Sequence, residues 1–337
     1  MTIPVARPRT TVYEPWRRTL LTSEEVRRLS QLEPRRVVAD AARSWALIIG
    51  AWAAVAYHPA WWVVLLAIPL IGSAYYALFI IGHDGLHRRL FHGRARNDLF
   101  NDLVVLGAIG AITRINNLNH LEHHDHLATA DDPDRHKYGC FNKWEAGRLI
   151  AYLSGVATLI TSARHVYVTN SQRNRGRAGP PSARGPRGYT VRDLLILLGW
   201  QVALIAGLSS IIGWWAWPVL WLVPVFGFTF LMDNLRTFCE HSQPEADSKA
   251  DSHRLISYVS TPIERWFISP MNMNIHAIHH LWPSIPYYRL PEAARLVRAR
   301  PDGGGALEWR RSYLEYLWRY WRALPLEECR VSSAQAA

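Results

Sequence analysis

Residues 60 to 81, AWWVVLLAIPLIGSAYYALFII, contain no charged side chain. A helix of that length crosses the hydrocarbon core of a bilayer, which takes about 20 apolar residues. Such a run leaves few folds open, because in lipid every backbone polar group must be bonded within the protein and a helix does this inside one segment. Three companions reinforce it. Val37 to Tyr57 is uniformly apolar after Arg43 and is separated from the first run by His58 and Pro59, while Val191 to Ile212 and Trp214 to Met232 form a second pair parted by Gly213. Buried helices of a large soluble protein seldom hold uncharged runs of this length. The pattern predicts an all-α integral membrane protein with four transmembrane helices in two hairpins.

The mean hydropathy of -0.07 hides this, because the apolar blocks alternate with arginine-rich ones. The hairpin tips, at His58-Pro59 and from Gly213 to Pro218, hold no Lys or Arg, whereas Arg17, Arg18, Arg27, Arg28, Arg35, Arg36, Arg88, Arg89, Arg94, Arg96, Arg184, Arg187, Arg192 and Arg236 flank the other ends. Positive charge marks the cytoplasmic side. Both termini and the long connections are therefore expected in the cytosol, with the chain a multi-pass protein of the cytoplasmic (inner) membrane. Trp61, Trp62, Trp214, Trp215 and Trp217 gather at the opposite ends, as an interfacial aromatic belt does. The net charge of +11 is spread through tails and connections and not along one amphipathic face, which argues against a nucleic-acid partner.

The expected organisation is a cytosolic N-terminal tail (1–36), a membrane domain (37–295) and a cytosolic C-terminal segment (296–337). The tail lacks the apolar core and cleavage site of a secretory signal. Leu99 to Ile112 and Leu149 to Ile160 are too short to span and read as amphipathic or half-buried helices at the interface. Gln172 to Tyr189, rich in Gly, Pro and Arg, reads as a basic loop. The cysteines, Cys140, Cys239 and Cys329, are too scattered for a disulfide framework or a zinc ribbon and fit a reducing compartment.

Three histidine motifs stand on the arginine-flanked side: HDGLH (His83 to His87), HLEHH (His120 to His124) and HAIHH (His276 to His280). The first follows directly on the second span. In each, imidazoles fall one helical turn apart, the spacing at which two can grip one metal ion. Together they hold His83, His87, His120, His123, His124, His276, His279 and His280, eight of the chain's 15 histidines, and His241 in FCEH after the fourth span adds a ninth candidate. That exceeds what one tetrahedral zinc needs, and the thiolates of structural zinc sites are absent from the motifs, so a pair of metal ions is expected. Imidazole suits iron, copper, zinc and nickel alike. A site at the mouth of a membrane bundle, open to an apolar substrate, points to oxygen chemistry on C–H bonds, for which iron is the usual choice. His92, His126, His136 and His253 read as bystanders, His58 as too distant, and His165 as structural. Asp131, Asp132 and Asp134 read as a folded connection after the second motif. Asp84, Glu122 and Glu240 could orient imidazoles from behind and raise their basicity.

The order of these motifs, followed by HHLWPSIPYYRLPE after the third and DDPD after the second, resembles the integral-membrane fatty acid desaturase superfamily over about residues 40 to 295. The superfamily also includes lipid hydroxylases and carotenoid ketolases. The resemblance implies a non-haem di-iron centre, a cytosolic helical cap carrying the histidine boxes, and the eight box histidines as ligands, with His241 as the extra ligand between the fourth span and third box. It also favours Asp84 as a supporting residue. Two departures stand out: Thr237 occupies the place of an asparagine found in acyl-CoA desaturases, and the first box has three intervening residues where the animal enzymes have four.

The expected activity is O2-dependent desaturation of an acyl chain or lipid-like substrate. Hydroxylation or ketolation, or desaturation of a specialised metabolite derived from an amino acid or a carotenoid, would use the same framework. A membrane metal transporter or sensor is the rival from outside enzymology, although transport predicts ionisable residues within the spans, and the second and fourth runs carry none before their cytosolic ends. The chain has no haem-binding HPGG, cysteine cluster or nucleotide-binding glycine loop. Electrons must therefore come from a separate ferredoxin, rubredoxin or cytochrome-type donor.

Overall fold

Four long helices organise the chain: α3 (Pro34–Tyr57), α4 (Trp61–Leu86), α8 (Val191–Ile211) and a fourth that runs from Pro218 into α9 (Phe230–His241). Each is long and apolar enough to cross a membrane. The computed structural model describes residues 14–127, 134, 146–154, 160, 188–241, 256–300 and 307–323. Cys140, Cys329, Asp131, Asp132, His136, His165, His253 and nearly all of the Gln172 to Tyr189 connection lie outside the described residues.

Helix bounds differ from the sequence expectation where polar residues continue a helix beyond its apolar run. Helix α4 begins at Trp61 and continues past Ile81 to Leu86, carrying the first histidine motif on its last turn. The fourth helix starts at Pro218 instead of Trp214, since Gly213 sits at φ 138 and proline favours a first helical position. Its first half, Pro218–Thr229, is wound as a π-helix with Pro224 inside it, where the missing proline N–H disfavours the regular ladder.

Helix α3 packs along α4, and α4 packs along the π-helical stretch. Their contact is aromatic: Trp221, fully buried, meets Tyr75 edge-on at 5.1 Å, and Trp45 stacks between Trp221 and Trp200. Helix α8 keeps Leu195, Leu198, Val202 and Ile211 exposed, an outward face suited to lipid.

The stretch expected as one half-buried helix at Leu99 to Ile112 is α5 (Arg94–Phe100) running into a π turn, Asn101–Leu106, and a 3-10 turn, Gly107–Ile109. The carbonyls that this irregular winding frees are met by side chains. The indole Nε1 of Trp45 donates to Val104 O (2.9 Å), that of Trp200 to Leu103 O (2.9 Å), and Gln201 Nε2 donates to Ala108 O (3.1 Å). Helix α6 (Thr113–His126) follows, then α7 (Ala146–Leu153), the described part of the second expected interfacial segment.

Beyond α9 the described chain forms short elements: β1 (Ile256–Tyr258), α10 (Pro262–Phe267), α11 (His276–Leu281), α12 (Leu290–Arg298), β2 (Glu308–Arg310) and α13 (Tyr313–Ala323). The strands pair in parallel, an addition to the all-helical expectation. Two short N-terminal helices, α1 (Glu14–Leu20) and α2 (Ser23–Leu29), bury Leu20, Leu21 and Leu29 against α11 and α12.

Candidate metal centre

Helix α4 delivers the first pair of imidazoles and stops. His87 caps it, Arg88 turns into the left-handed region at φ 57, and the N–H groups of Arg88 and Arg89 donate back to Gly85 O and Asp84 O. This is a Schellman ending with arginine where glycine is usual. Gly82 and Gly85 allow the π turn to press against the helix: Asn101 donates to Gly82 O (3.1 Å) and Thr113 Oγ1 (3.0 Å), and Asn97 donates to Gly85 O (2.8 Å). Thr113 opens α6, its N–H donating to Asp102 Oδ1 at 2.7 Å. Asn117 then donates to Leu86 O, fixing α6 against the end of α4.

The third motif is held from several sides. Ser257 on β1 accepts the N–H of Ala277 (3.2 Å), and Asn274 donates to Tyr258 O (2.8 Å). At its far end Arg17 of α1 donates to Leu281 O (2.8 Å). Asp84, buried behind the first motif, accepts the N–H of Tyr287 at 2.7 Å, tying α4 to the chain after α11.

These elements bring nine histidines into two adjoining groups. His83, His87, His120, His124 and His279 form one; His123, His241 and His280 converge beside it, and His276 joins them with Nε2 3.0 Å from His241 Nε2 and 2.9 Å from His280 Nε2. The groups touch where His124 and His280 stack at 4.1 Å. Both HxxHH motifs divide alike. The i and i+4 residues stay together, His120 with His124 and His276 with His280, while the i+3 residue crosses over, His123 to the second group and His279 to the first. Adjacent residues on a helix diverge by about 100°, so one turn can serve two centres.

Five of the rings are held as neutral lone-pair donors. Burial pushes His87 down to about 3 and holds His124, His276, His279 and His280 well below the ordinary imidazole range. Among the described residues, both ring nitrogens of His124 and of His279 are buried with no hydrogen-bond partner, as is Nδ1 of His83. An unpaired buried polar atom costs about 1–3 kcal/mol. Coordination removes that cost, so the donor set fits metal ions, and an all-imidazole first group suits iron, copper, zinc or nickel by softness.

The carboxylates divide. Glu240 is fully buried, 3.5 Å from His276 Nε2, and belongs to a group with His241 and His276 that could hold a metal ion. Asp84 Oδ1 lies 3.9 Å from His83 Nδ1, too far for a hydrogen bond, and its other oxygen is spent on Tyr287. Glu122 is half-buried on α6 and in neither group. His92 is exposed, and His58 lies beside Trp62 at the opposite end of α4.

A charged network behind the second group went unnoticed in the sequence. Arg236 donates to Glu240 Oε2 (2.5 Å), Asp233 Oδ1 (3.0 Å) and Tyr76 OH (2.8 Å), and Tyr313 OH donates to Glu240 Oε1 (2.7 Å). Its signal was the i, i+3 and i, i+4 spacing of Asp233, Arg236 and Glu240 at the end of an apolar run.

Known proteins resemble the chain over most of its length. A family model described as fatty acid desaturase matches residues 59–312. The chain is 26% identical over 254 residues to a beta-carotene ketolase of Paracoccus sp., covering 72% of this chain and 88% of that protein. It is 23% identical over 264 residues to an sn-1 acyl-lipid omega-3 desaturase (ferredoxin) of Synechocystis sp., covering 75% and 72%.

Proposed function

This chain belongs to the fatty acid desaturase family, and from that premise we propose that it is an O2-dependent membrane oxidoreductase that desaturates an acyl chain or lipid-like substrate at a pair of iron ions. The observation that carries the reading is the division of nine histidines, six buried and three half-buried, into groups of five and four, with ring nitrogens of His124 and His279 that no described protein atom satisfies. His83, His87, His120, His124 and His279 would hold one iron; His123, His241, His276 and His280 would hold the other. Bound iron supplies activation of dioxygen and hydrogen removal from an unactivated carbon. The protein keeps His87, His124, His276, His279 and His280 neutral by burial, and braces His276 through Glu240, Arg236 and Tyr313.

The spans would form two hairpins, α3 with α4 and α8 with the fourth helix, with tips at residues 58–60 and 212–217 on the far side. The arginine-flanked ends, the helical cap, both termini and the metal centre would face the cytosol from the inner membrane. Residues 1–36 would be a tail, 37–295 the membrane domain and 296–337 a C-terminal segment. A separate electron donor is required; the relative whose name carries ferredoxin favours that class over rubredoxin or cytochrome-type donors. Asp84 would act on the site by anchoring Tyr287 and not by touching an imidazole, and Glu122 would have no part in it.

A second reading is hydroxylation or ketolation, favoured by the ketolase relative. Both outcomes begin with removal of hydrogen and part afterwards. Family membership favours either over a metal transporter or sensor. The test is metal analysis with Mössbauer spectroscopy on anaerobically purified protein, followed by product analysis in a host of defined lipid and carotenoid content. The expected result is a pair of irons per chain and a new double bond in an acyl chain. His279→Ala should lower iron occupancy. One zinc per chain would overturn the iron assignment, and an oxygenated carotenoid with unaltered acyl chains would establish the second reading.

A further inference from the structure

Helix α13 presents three different faces. With Leu314 as origin and about 100° per residue, Trp318 and Trp321 fall within about 40° of it, Leu317 and Tyr320 near the buried Tyr313 at about -60° to -120°, and Arg319 and Arg322 at about +80° to +140°. The first of these faces is 54% exposed at Leu314, 59% at Trp318 and 39% at Trp321, although it is wholly apolar. The second packs on α9, Tyr320 meeting Phe238 edge-on at 4.9 Å. A helix half-turned between protein and water needs two faces; the third calls for another neighbour.

The same apolar surface continues on α10, where Ile263 and Trp266 are exposed at i and i+3. The two helices are bonded through Glu264, whose Oε1 accepts from Ser312 Oγ (2.5 Å) and Leu314 N (3.1 Å). On its inner side α10 packs against α4, and Phe267 contacts Phe228 of the fourth span at 5.9 Å between ring centroids. The exposed stripe is thus attached to helices that cross the membrane. Its edge carries Arg319 and Arg322, the latter with its guanidinium 5.3 Å over the ring of Trp318, an arrangement that seats tryptophan at the headgroup level with cations toward anionic lipid.

We infer that α13 lies in the plane of the membrane interface, with Leu314, Trp318 and Trp321 in the acyl boundary, so that residues 313–323 are moored to the bilayer beside the metal centre instead of standing free in the cytosol. The inference rests on the reading of the chain as a multi-pass membrane protein. Through Tyr313, whose hydroxyl bonds Glu240, the moored helix is joined to the second histidine group.

The test is spin-label accessibility in lipid nanodiscs containing anionic lipid, with Cys140 and Cys329 replaced by serine and the buried Cys239 kept. Labels are placed at Trp318→Cys, Arg319→Cys and, as a spanning control, Leu198→Cys on exposed α8. The expected result is a depth parameter that is positive at 318 (oxygen-accessible, shielded from a nickel chelate) and reverses sign at 319. A negative value at 318 with a positive value at 198 would overturn the inference while leaving the membrane reading intact; an aqueous value at 198 would overturn both. Shielding of 318 from both reagents, with a doubled mass by light scattering, would also overturn it and assign the face to a second copy of the chain.

Discussion

Arg236 shows what a buried charge demands at the scale of one residue. Its guanidinium is 6% exposed and is shared among Asp233, Glu240 and Tyr76. The attraction within such a group roughly offsets the cost of taking charges out of water, so the network is not a large source of stability while intact; breaking it is another matter. Removing the cation strands two carboxylates, one of them in full burial beside His276. Arg236→Leu should therefore destabilise the protein by about 3–5 kcal/mol, measured as the loss in thermal unfolding of the detergent-solubilised protein followed by tryptophan fluorescence. Arg236→Lys should recover little, since an ammonium cannot reproduce the forked geometry to several acceptors. Glu240→Gln keeps an acceptor for Arg236 in its amide oxygen, can reverse the other contact by donating its NH2 to the Tyr313 hydroxyl, and leaves Asp233 on Arg236, so it should lose less stability than Arg236→Leu while altering the metal-binding behaviour of the second group. The nine histidines themselves were legible in the sequence, because one-turn spacing is a local property of a helix. Their division between the two groups was not, since it depends on how α6 and α11 are rotated about their axes by tertiary contacts such as Asn117 with Leu86 and Ala277 with Ser257.

The elements show the same contrast between local and tertiary information. Span existence followed from apolar length alone, but where α4 ends and how the Asn101–Leu106 turn winds were decided by packing. Gly85 illustrates it. A helix interior ordinarily gains up to about 1 kcal/mol from Gly→Ala, yet a Cβ at Gly85 would collide with the Asn101 amide. That amide cannot swing aside, being fixed by its bonds to Gly82 O and Thr113 Oγ1. Overpacking of this kind costs about 1–3 kcal/mol, so the collision outweighs the propensity. Gly85→Ala should lower stability by up to about 2 kcal/mol on balance and displace α6, seen as weaker metal retention against a graded chelator. Gly50→Ala is the control: nothing lies within 4 Å of its would-be Cβ, and the substitution should be neutral or slightly stabilising. The π-helical winding and the two short strands escaped the sequence reading for a related reason. A π turn differs from an α turn by a single shifted bond, set here by the tryptophan and glutamine donors of other helices, and a three-residue strand is too short for a period-2 pattern to register.

For the molecule as a whole, the centre sits where the fold can least tolerate protons. His124, His276, His279 and His280 are held well below the usual imidazole range by burial, and His87 near 3 for the same reason, whereas in the unfolded chain each titrates near 6.5. Between those values the unfolded state binds more protons than the folded one, so stability rises with pH across that window and falls on acidification. The contribution is complete above about pH 6.5 and is lost progressively as the solution is made more acidic. Metal acts in the same direction: it binds only the neutral ring, so lowering the pH releases the ions, and releasing the ions removes whatever stabilisation they confer on the folded state. The two effects separate experimentally. Chelator-stripped protein should show a lower unfolding temperature than the metal-loaded form at pH 8, and its unfolding temperature should decline further from pH 7 to pH 5. Loaded protein should resist the first part of that decline and then drop sharply where the ions leave, read in parallel by metal analysis of the supernatant. If the stripped protein were insensitive to pH over this range, the rings would have to be hydrated or already charged in the fold, and the reading of the site as a dry cluster of lone pairs braced for metal would fall with them.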